Sequence, residues 1–203
     1  MFYMFVRLLL TPIALLYNRL TVHFKDRIPE KGAYIIVANH VSYLDPIYIG
    51  LSVKRKLYYM AKKETFNNPL LGWIITKLGA FPVTRDKADI RAVKTELSIL
   101  KEGKLLAVFP QGGRRSEDEL TDIKQGAAYF AIKTNTPIIP LYIKGTDEVM
   151  PKGQGMIKPK KVEVFIGEPI DVPLITKTNK NEILEIMTNK VKKQINNLAK
   201  QSA

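Results

Sequence analysis

The sequence contains no cysteine and only two histidines, His23 and His40, in 203 residues. The absence of cysteine excludes disulfides, zinc ribbons, iron–sulfur clusters and a thiol nucleophile. Two imidazoles are too few for a histidine-rich metal site. Acidic residues are also scarce, because 19 Asp and Glu stand against 32 Lys and Arg and leave a net charge of +13. Such an excess predicts an anionic partner: a membrane surface, a nucleic acid, a phosphorylated substrate or an acidic protein.

The rest of the composition is that of a folded domain, with 46% hydrophobic and 25% charged residues. A chain of this length forms one domain, or at most two small ones, and is long enough to bury a full core. Neither the G-x-x-x-x-G-K-[ST] loop nor a G-x-G-x-x-G turn occurs in it. The usual devices for binding a nucleotide are therefore missing.

The first seventeen residues are apolar except for Arg7, Thr11 and Pro12. As a helix this segment is about 25 Å long, shorter than the roughly 30 Å hydrocarbon layer of a membrane. On a helical wheel one narrow arc collects Arg7, Thr11, Ala14 and Asn18. We therefore predict a membrane-associated helical segment over residues 1–20 that lies in or dips into one leaflet. Pro12 either kinks it or starts a second helix with Thr11 as N-cap. The alternative is a helix buried in the core.

Beyond residue 20, apolar strand patterns alternate with helical patterns. Strands are predicted over 33–38, 56–61, 80–83, 105–109, 138–143 and 162–166. Helices are predicted over 46–52, 69–78, 89–101, 126–133 and 181–200. The alternation predicts a single α/β domain over 21–203, with a largely parallel or mixed central sheet flanked by helices. The stretch 146–161 is expected to be the one long irregular connection.

The first candidate site follows the strand that is predicted to end near residue 38. His40 and Asp45 are five residues apart and reach each other only across a turn. Asp45 followed by Pro46 is typical of a helix N-cap and first helical residue. A carboxylate bound to one imidazole nitrogen fixes the tautomer and raises the basicity of the other nitrogen. The pair is thus a candidate general base for an alcohol, unless Asp45 only caps its helix.

Two further strand ends carry residues suited to anions. Pro82 restricts its strand to a sheet edge or a short stub, and Arg85, just beyond that strand, is either a bidentate phosphate ligand or an ordinary surface arginine. After the following strand, Gly112 and Gly113 let backbone N–H groups approach a ligand closely, with Arg114 beside them. The alternative for the two glycines is a simple hairpin turn.

Taken together, these segments resemble the glycerolipid acyltransferases. Asn39-His40-x4-Asp45 is similar to their N-H-x4-D motif, and FPQGGR at 109–114 stands in place of their F-P-E-G-T-R. The spacing from Gly79 to Arg85 matches their G-x-x-F-x-x-R block, and PIIP at 137–140 resembles their fourth block. The blocks occur in the family's order within residues 27–171. The bacterial 1-acyl-sn-glycerol-3-phosphate acyltransferases, which are membrane-bound through N-terminal hydrophobic helices, are the most similar group.

The resemblance implies an O-acyltransferase that moves a fatty acyl group from acyl-CoA or acyl carrier protein to the sn-2 hydroxyl of lysophosphatidic acid. The product is phosphatidic acid, made for phospholipid biosynthesis. His40, oriented by Asp45, would take the proton of the attacking hydroxyl, while Arg85 and Arg114 would hold the acceptor's phosphate. The resemblance implies no metal, no cofactor and no covalent acyl-enzyme.

The remaining candidate residues lie around the third block. Gln111, Gly112 and Gly113 belong to the acceptor-binding segment, and the oxyanion of the tetrahedral intermediate would bind backbone N–H groups of the two glycines or Lys62. Gln111 replaces the family's Glu, Gly113 replaces its Thr, and Pro82 occupies the position of the second block's Phe. These departures leave the dyad of His40 and Asp45 unchanged but alter the acceptor-binding segment. Another lysophospholipid, a lyso-ornithine lipid or glycerol 3-phosphate is therefore the alternative acceptor.

The location follows from the same features. An anionic membrane surface would attract the basic clusters at 54–56, 62–63 and 158–161, although each is also consistent with a solvated face. We expect a monotopic or peripheral protein on the cytoplasmic face of the cell membrane. The alternative from another class is a non-catalytic basic protein that binds membranes or nucleic acid. The basic runs lack the interleaved aromatic residues that nucleic-acid binding uses.

Overall fold

The computed structural model describes residues 1–84, 89–114, 120–151, 153–174 and 180–202. In this part of the chain the α-helices are α1 (Phe2–Tyr17), α2 (Asp45–Ser52), α3 (Pro69–Lys77), α4 (Ile90–Lys101), α5 (Gly126–Thr134), α6 (Thr146–Val149) and α7 (Lys180–Gln201). The strands are β1 (Thr21–His23), β2 (Tyr34–Ala38), β3 (Leu57–Lys62), β4 (Ala80–Val83), β5 (Leu105–Val108), β6 (Ile138–Lys144) and β7 (Glu163–Ile166).

The strands form one mixed sheet in the order β1-β7-β6-β2-β5-β3-β4. The five strands from β6 to β4 in that order are parallel, β7 runs antiparallel to β6, and β1 is parallel to β7. This arrangement confirms the predicted single α/β domain with a largely parallel or mixed sheet. For each strand and helix predicted after residue 20, the observed first and last residues differ from the predicted ones by at most one position. β1 was not predicted, because three residues carry too little pattern.

Strand position follows from sequence. The continuous apolar runs of β2 and β6 are buried and lie side by side in the middle of the sheet, as expected for strands covered on both faces. Pro82 cannot donate a ladder hydrogen bond, and its strand β4 lies at the sheet edge, as predicted. In β2 and β5, Val37 pairs with Val108, so the loops that follow these two strands leave the sheet side by side.

Alternate residues of β2 enter two separate cores. Ile35 and Val37 pack on one face with apolar residues of α4, α5 and α7. Ile36 and Ala38 pack on the other face with apolar residues of α2 and with Ala14 of α1. This period of two is the normal consequence of strand geometry. The sheet is therefore the middle of three layers, and its carboxyl edge is free to carry the site.

The N-terminal helix α1 runs from Phe2 through Pro12 to Tyr17 as one helix. The interpretation in which a second helix starts at Pro12 is wrong, because the Thr11 hydroxyl donates to the Arg7 carbonyl one turn back instead of capping. The alternative of a core-buried helix is also wrong, since Ala14 is its buried residue. Its exposed apolar side chains include Met4, Phe5, Leu8, Leu9, Ile13, Leu15 and Leu16.

The polar arc of α1 faces the protein. Arg7 donates to the Leu51 carbonyl at 3.3 Å, and buried Asn18 accepts a hydrogen bond from the Tyr48 hydroxyl at 2.6 Å. The helix thus points its polar residues inward and its apolar residues outward, the reverse of an ordinary surface helix. Among the described residues, no helix combines the length and the hydropathy needed to cross a bilayer.

The stretch 146–161 was predicted to be irregular, and this is wrong at its start. The short helix α6 begins directly after β6, because Gly145 adopts a φ of +89° and turns the chain sharply. Gly145 has a second reason to be glycine: a Cβ built there would lie 2.0 Å from the Lys161 carbonyl oxygen. This turn places Thr146 at the same sheet edge as His40.

Candidate active site

His40 and Asp45 meet at the carboxyl end of β2. The Nδ1 atom of His40 lies 2.7 Å from Oδ2 of Asp45. The same Oδ2 accepts hydrogen bonds from the backbone N–H groups of Val41 at 2.8 Å and Ser42 at 2.9 Å. The spacing of His40 and Asp45 predicted a turn between them, and the Asp45 carboxylate closes that turn through these hydrogen bonds. Because the carboxylate accepts, Nδ1 carries the proton and Nε2 is the basic nitrogen.

Asp45 is not the N-cap of α2, as the sequence had suggested. The helix begins at Asp45 with Leu44 as N-cap, and the Asp45 carboxylate turns back toward the preceding loop. Once Oδ2 serves His40 and two loop N–H groups, it is not available to the helix. Pro46, inside the first turn, supplies no N–H that needs a cap. The reading in which Asp45 merely caps its helix is therefore wrong.

The second oxygen of Asp45 has a partner that sequence analysis missed. Oδ1 accepts a hydrogen bond from the hydroxyl of Thr146 at 2.5 Å, across 101 residues of chain. Both Asp45 and Thr146 are 0% exposed. A buried carboxylate needs donors on both oxygens to offset its desolvation, and here four donors supply them.

Asn39 fastens the same corner. Its side-chain amide donates to the Ile143 carbonyl and accepts from the Ile143 N–H, each at 2.8 Å. This pair of bonds continues the β2–β6 ladder beyond its last backbone pairing, Ala38 with Leu141. The loop after β2 and the turn after β6 are thereby held in one register. The motif contains Asn39, but only the structure shows which strand it binds.

The loop after β5 supports His40 from another side. The ring of Phe109 stacks on the His40 imidazole with centroids 4.3 Å apart. Gln111 is buried, and its Oε1 accepts the backbone N–H of His40 at 2.8 Å. Its amide oxygen therefore serves the geometry of His40, whereas the sequence had grouped Gln111 with the acceptor contacts.

The two glycines of this loop differ. Gly112 has a φ of +69°, and its N–H donates to the Phe109 carbonyl at 3.1 Å, which closes the turn. That N–H is therefore occupied, contrary to its predicted role in oxyanion binding. In the described chain the N–H of Gly113 makes no hydrogen bond and stays a candidate. A Cβ at Gly112 would lie 3.0 Å from Nζ of Lys124, a nearby cation that sequence analysis missed.

The predicted cationic ligands fall into three cases. The guanidinium carbon of Arg114 lies 3.5 Å from the ring centroid of Tyr43, so Arg114 packs against the loop that joins His40 to Asp45. Arg85 lies outside the described residues. Lys62 is exposed at the end of β3, which is separated from β2 by β5. Two strand spacings amount to about 10 Å. Within the described chain, Lys62 makes no hydrogen bond or ion pair with the dyad.

Comparisons with known proteins agree with this geometry. The family model described as "Acyltransferase" matches residues 19–144. The 1-acyl-sn-glycerol-3-phosphate acyltransferase of Bacillus subtilis is 32% identical over 87% of this chain and 86% of its own length. The protein of the same name from Streptococcus pneumoniae is 35% identical over 87% of this chain, which spans 64% of that protein.

A solved structure is similar as well. The crystal structure of the 1-acyl-sn-glycerophosphate acyltransferase from Thermotoga maritima superposes with a TM-score of 0.69 at 27% identity. The match covers 90% of this chain and 76% of the other. The family model spans more than half of the sequence, and the match to the Bacillus subtilis protein covers most of both chains. The protein therefore belongs to the acyltransferase family.

Proposed function

We propose that this acyltransferase moves a fatty acyl group from an acyl thioester to the sn-2 hydroxyl of 1-acyl-sn-glycerol 3-phosphate, making phosphatidic acid for phospholipid biosynthesis. The observation that carries the proposal is the His40–Asp45 pair, whose Nε2 is left without a hydrogen bond among the described residues. Arg114, which packs on Tyr43 in the loop between His40 and Asp45, offers a charge for the acceptor's phosphate. The names of the relatives support the choice of acceptor.

The reaction is a direct transfer. Nε2 of His40 takes the proton of the sn-2 hydroxyl while the oxygen attacks the carbonyl carbon of the thioester. A C–O bond forms, and the carbonyl electrons move onto the oxygen. When the intermediate collapses, the C=O bond re-forms, the C–S bond breaks, and the thiolate receives the proton from the imidazolium. Asp45 stabilises the imidazolium and keeps its orientation through both steps.

The proposed substrate contacts come from the loop after β5 and from Arg85. Arg114 and Arg85 bind the acceptor's phosphate, because a guanidinium presents parallel donors to phosphate oxygens. Holding the phosphate fixes the distance from the sn-2 hydroxyl to Nε2 of His40. The N–H of Gly113 is the candidate donor to the oxyanion, and Lys124 adds positive charge next to it. Lys62, further along the edge, is available to the donor's anionic carrier rather than to the oxyanion.

The acyl donor is acyl-CoA or acyl carrier protein. Coenzyme A is a polyanion and acyl carrier protein is acidic, so both complement a chain of net charge +13. Parallel assays with each donor at matched acyl-chain length distinguish them. The preferred donor is the one with the larger kcat/KM, and a rate that falls steeply with added salt indicates electrostatic attraction of the carrier.

The proposed location is the cytoplasmic face of the cell membrane, with α1 lying in one leaflet as a monotopic or peripheral anchor. The outward face of α1 is apolar, and it continues into α3, where Leu70, Leu71 and Trp73 are exposed. Phe2 of α1 packs edge-on against Trp73 with ring centroids 5.0 Å apart, so the two helices present one surface. An apolar surface of this extent favours a hydrophobic environment, and aromatic residues favour the membrane interface.

Basic residues add to the attraction. Lys62, Lys63 and Lys77 are exposed at the two ends of α3 and its preceding turn. Each lysine near an anionic surface contributes about 1 kcal/mol. The other predicted clusters are partly neutralised, because Lys54 pairs with Glu30 and Lys161 pairs with Glu163. The basic character near the proposed membrane surface therefore lies mainly around α3.

The test of the reaction is acyl transfer to lysophosphatidic acid by the purified full chain in mixed vesicles. Wild type and His40→Ala are compared, with acyl-CoA and acyl carrier protein as donors. We expect phosphatidic acid from wild type and a loss of at least a thousandfold in kcat for the variant, of the order seen when a catalytic base is removed. An enzyme that acylates a lyso-ornithine lipid, another lysophospholipid or glycerol 3-phosphate but not lysophosphatidic acid would overturn the acceptor assignment.

The test of the location uses the single tryptophan of the chain. When vesicles containing phosphatidylglycerol are added, we expect the Trp73 emission to shift to shorter wavelength and brominated lipids to quench it. Leu70→Ser and Leu8→Ser should weaken binding to these vesicles, whereas Leu174→Ser, at an exposed leucine outside both helices, should not. An emission unchanged by vesicles at any lipid concentration would contradict membrane contact by α3.

A further inference from the structure

The hydroxyl of Thr146 lies against the oxygen of Asp45 that His40 does not use. We propose that Thr146 is a positioning residue, which holds the Asp45 carboxylate in the orientation that His40 needs to act as a base. The inference deepens the proposed function and rests on it. Thr146 lies outside the motif blocks. Its hydroxyl donates to Oδ1 of Asp45 at 2.5 Å and makes no direct hydrogen bond to His40 in the described chain.

The hydrogen bonds of Asp45 come from two sources. Oδ2 receives three donors from its own loop: His40 Nδ1 and the N–H groups of Val41 and Ser42. Within the described chain, Oδ1 has only Thr146. The terminal torsion of an aspartate is soft, so donors that meet at one oxygen leave the carboxylate plane free to rock about that oxygen. A fixed donor on the other oxygen, from a different element, sets the plane.

Thr146 is itself held firmly. It is fully buried, and its carbonyl accepts the N–H of Met150, the residue that follows α6. The preceding Gly145 packs against the Lys161 carbonyl so closely that no side chain fits there. Next to β2, the central strand of the seven, Asn39 binds both backbone groups of Ile143 and ties the end of β6 to the end of β2. The hydroxyl is thus a rigid donor.

Loss of the hydroxyl has two consequences for the base. The carboxylate plane is no longer fixed, so the imidazole spends less time in the productive orientation and kcat falls. The charge on Asp45 is also less dispersed once a donor is lost. Its attraction for the protonated imidazole increases, and the acidic limb of the pH–rate profile moves to higher pH. Substrate binding does not involve Thr146, so KM for the acceptor is unaffected.

The experiment compares Thr146→Val, Thr146→Ala and Thr146→Ser with Thr136→Val. Thr136 is a matched control, because it is also buried, its hydroxyl bonds to Thr134, and it precedes β6 at the opposite edge of the sheet. For the full chain in vesicles we would measure kcat, KM for lysophosphatidic acid, the pH–rate profile and the midpoint of thermal unfolding. Thr146→Ala retains space around Asp45 and keeps the test intact if the valine variant does not fold.

We expect Thr146→Val and Thr146→Ala to lower kcat about tenfold to a hundredfold with KM within a factor of about three. Their acidic limb should lie higher by about half a pH unit. Thr146→Ser should recover most of the rate, and Thr136→Val should keep the wild-type kcat and limb even if it unfolds at a lower temperature. An undiminished kcat, or an acidic limb that stays in place or moves down, would overturn the inference. An inactive wild type would instead contradict the proposed function.

Discussion

The dyad and the loop proposed to bind the acceptor are close neighbours with opposite construction. Asp45 is fully buried and receives four hydrogen bonds, and the imidazole of His40 is packed between that carboxylate and Phe109. Arg114, by contrast, only covers the exposed ring of Tyr43. Among the described residues, neither its guanidinium nor the N–H of Gly113 makes a hydrogen bond. The base is complete without substrate, whereas the anion contacts are open.

This difference has a physical basis. A general base must be oriented before the reaction, because reorganisation during the reaction would add to the barrier. Cations intended for a phosphate are better left hydrated, since burying them without a partner costs several kcal/mol. Substitutions at the dyad should therefore act on kcat, and substitutions at the loop should act mainly on KM. Substitutions in the two regions test this division.

The largest effect is expected for Asp45→Asn. The amide keeps the shape but presents an N–H where the buried site supplies only donors, so the His40 tautomer with a proton on Nδ1 is no longer favoured. We expect kcat to fall about 10³- to 10⁴-fold, as for the aspartate of a serine-protease triad, with KM little changed. The measurement is steady-state transfer to lysophosphatidic acid.

The control for this prediction is Asp122→Asn, at an exposed aspartate elsewhere, which should behave as wild type. Circular dichroism of Asp45→Asn must show a folded protein for the comparison to hold. If the folded variant kept more than a tenth of the wild-type kcat, Asp45 would not be needed to orient the base, and the contrast between dyad and loop would fail.

Arg114→Ala should produce the next largest effect. Without the guanidinium, the acceptor's phosphate loses a bidentate ligand, so kcat/KM for lysophosphatidic acid should fall about 10- to 100-fold, mostly through KM. Transfer to monoacylglycerol, which has the hydroxyl but no phosphate, should be unchanged. Arg91→Ala, at an exposed arginine of α4, is the control for lost surface charge. Equal losses with both acceptors would mean that Arg114 does not act on the phosphate.

Gln111 lies between the two regions and separates their roles. Gln111→Glu keeps an oxygen acceptor for the His40 N–H, so kcat should change by no more than about threefold, while the added charge should raise KM for the phosphate-bearing acceptor. Gln111→Leu removes the acceptor and should lower kcat about tenfold, because an unpaired buried N–H is costly. Steady-state kinetics of the two variants decide the matter. A leucine variant with the wild-type kcat would show that this bond does not support the dyad.

Local signals in the sequence were sufficient for part of this picture. The strand patterns predicted the sheet, and Pro82 predicted which strand lies at an edge. The spacing from His40 to Asp45 predicted their contact, because both belong to one short loop. The polar arc of α1 was predicted from the sequence, but the side that it faces was not. A helical wheel does not show on which side of the helix the domain lies.

The long-range contacts were beyond such signals. Thr146 reaches Asp45 across 101 residues, and neither residue type nor spacing distinguishes it from other threonines. Asp45 was expected to cap α2, since an aspartate before a proline commonly does; competition from the loop N–H groups decides otherwise. The occupied N–H of Gly112 depends on a turn geometry that two consecutive glycines leave undetermined. These features arise from how separate elements meet.

Glu96 supplies the smallest expected effect on activity and a second buried carboxyl for comparison with Asp45. It is 2% exposed, and in the described chain its Oε1 has no hydrogen-bond partner. Burial raises its pKa from the ordinary value of 4.5 to about 8. Where Asp45 has donors that suit a charged carboxylate, Glu96 has an environment that favours the neutral acid.

The consequence for stability has a definite sign. Below pH 4.5 both the folded and the unfolded chain hold the Glu96 proton; between pH 4.5 and 8 the unfolded chain releases it while the folded chain keeps it. The free energy of unfolding therefore falls through this window and levels off above it. Glu96→Gln removes the titration, so its advantage over wild type should grow from pH 5 to pH 8 and reach roughly 2–4 kcal/mol at pH 9. Urea unfolding at each pH measures this, with exposed Glu185→Gln as the control.

Acyl transfer by Glu96→Gln should stay within about twofold of wild type, because replacing a side chain remote from His40 leaves the dyad and the four donors to Asp45 intact. A difference in stability that did not vary between pH 5 and pH 8 would mean that Glu96 is charged in the fold, and that donors alone do not distinguish the two carboxyls.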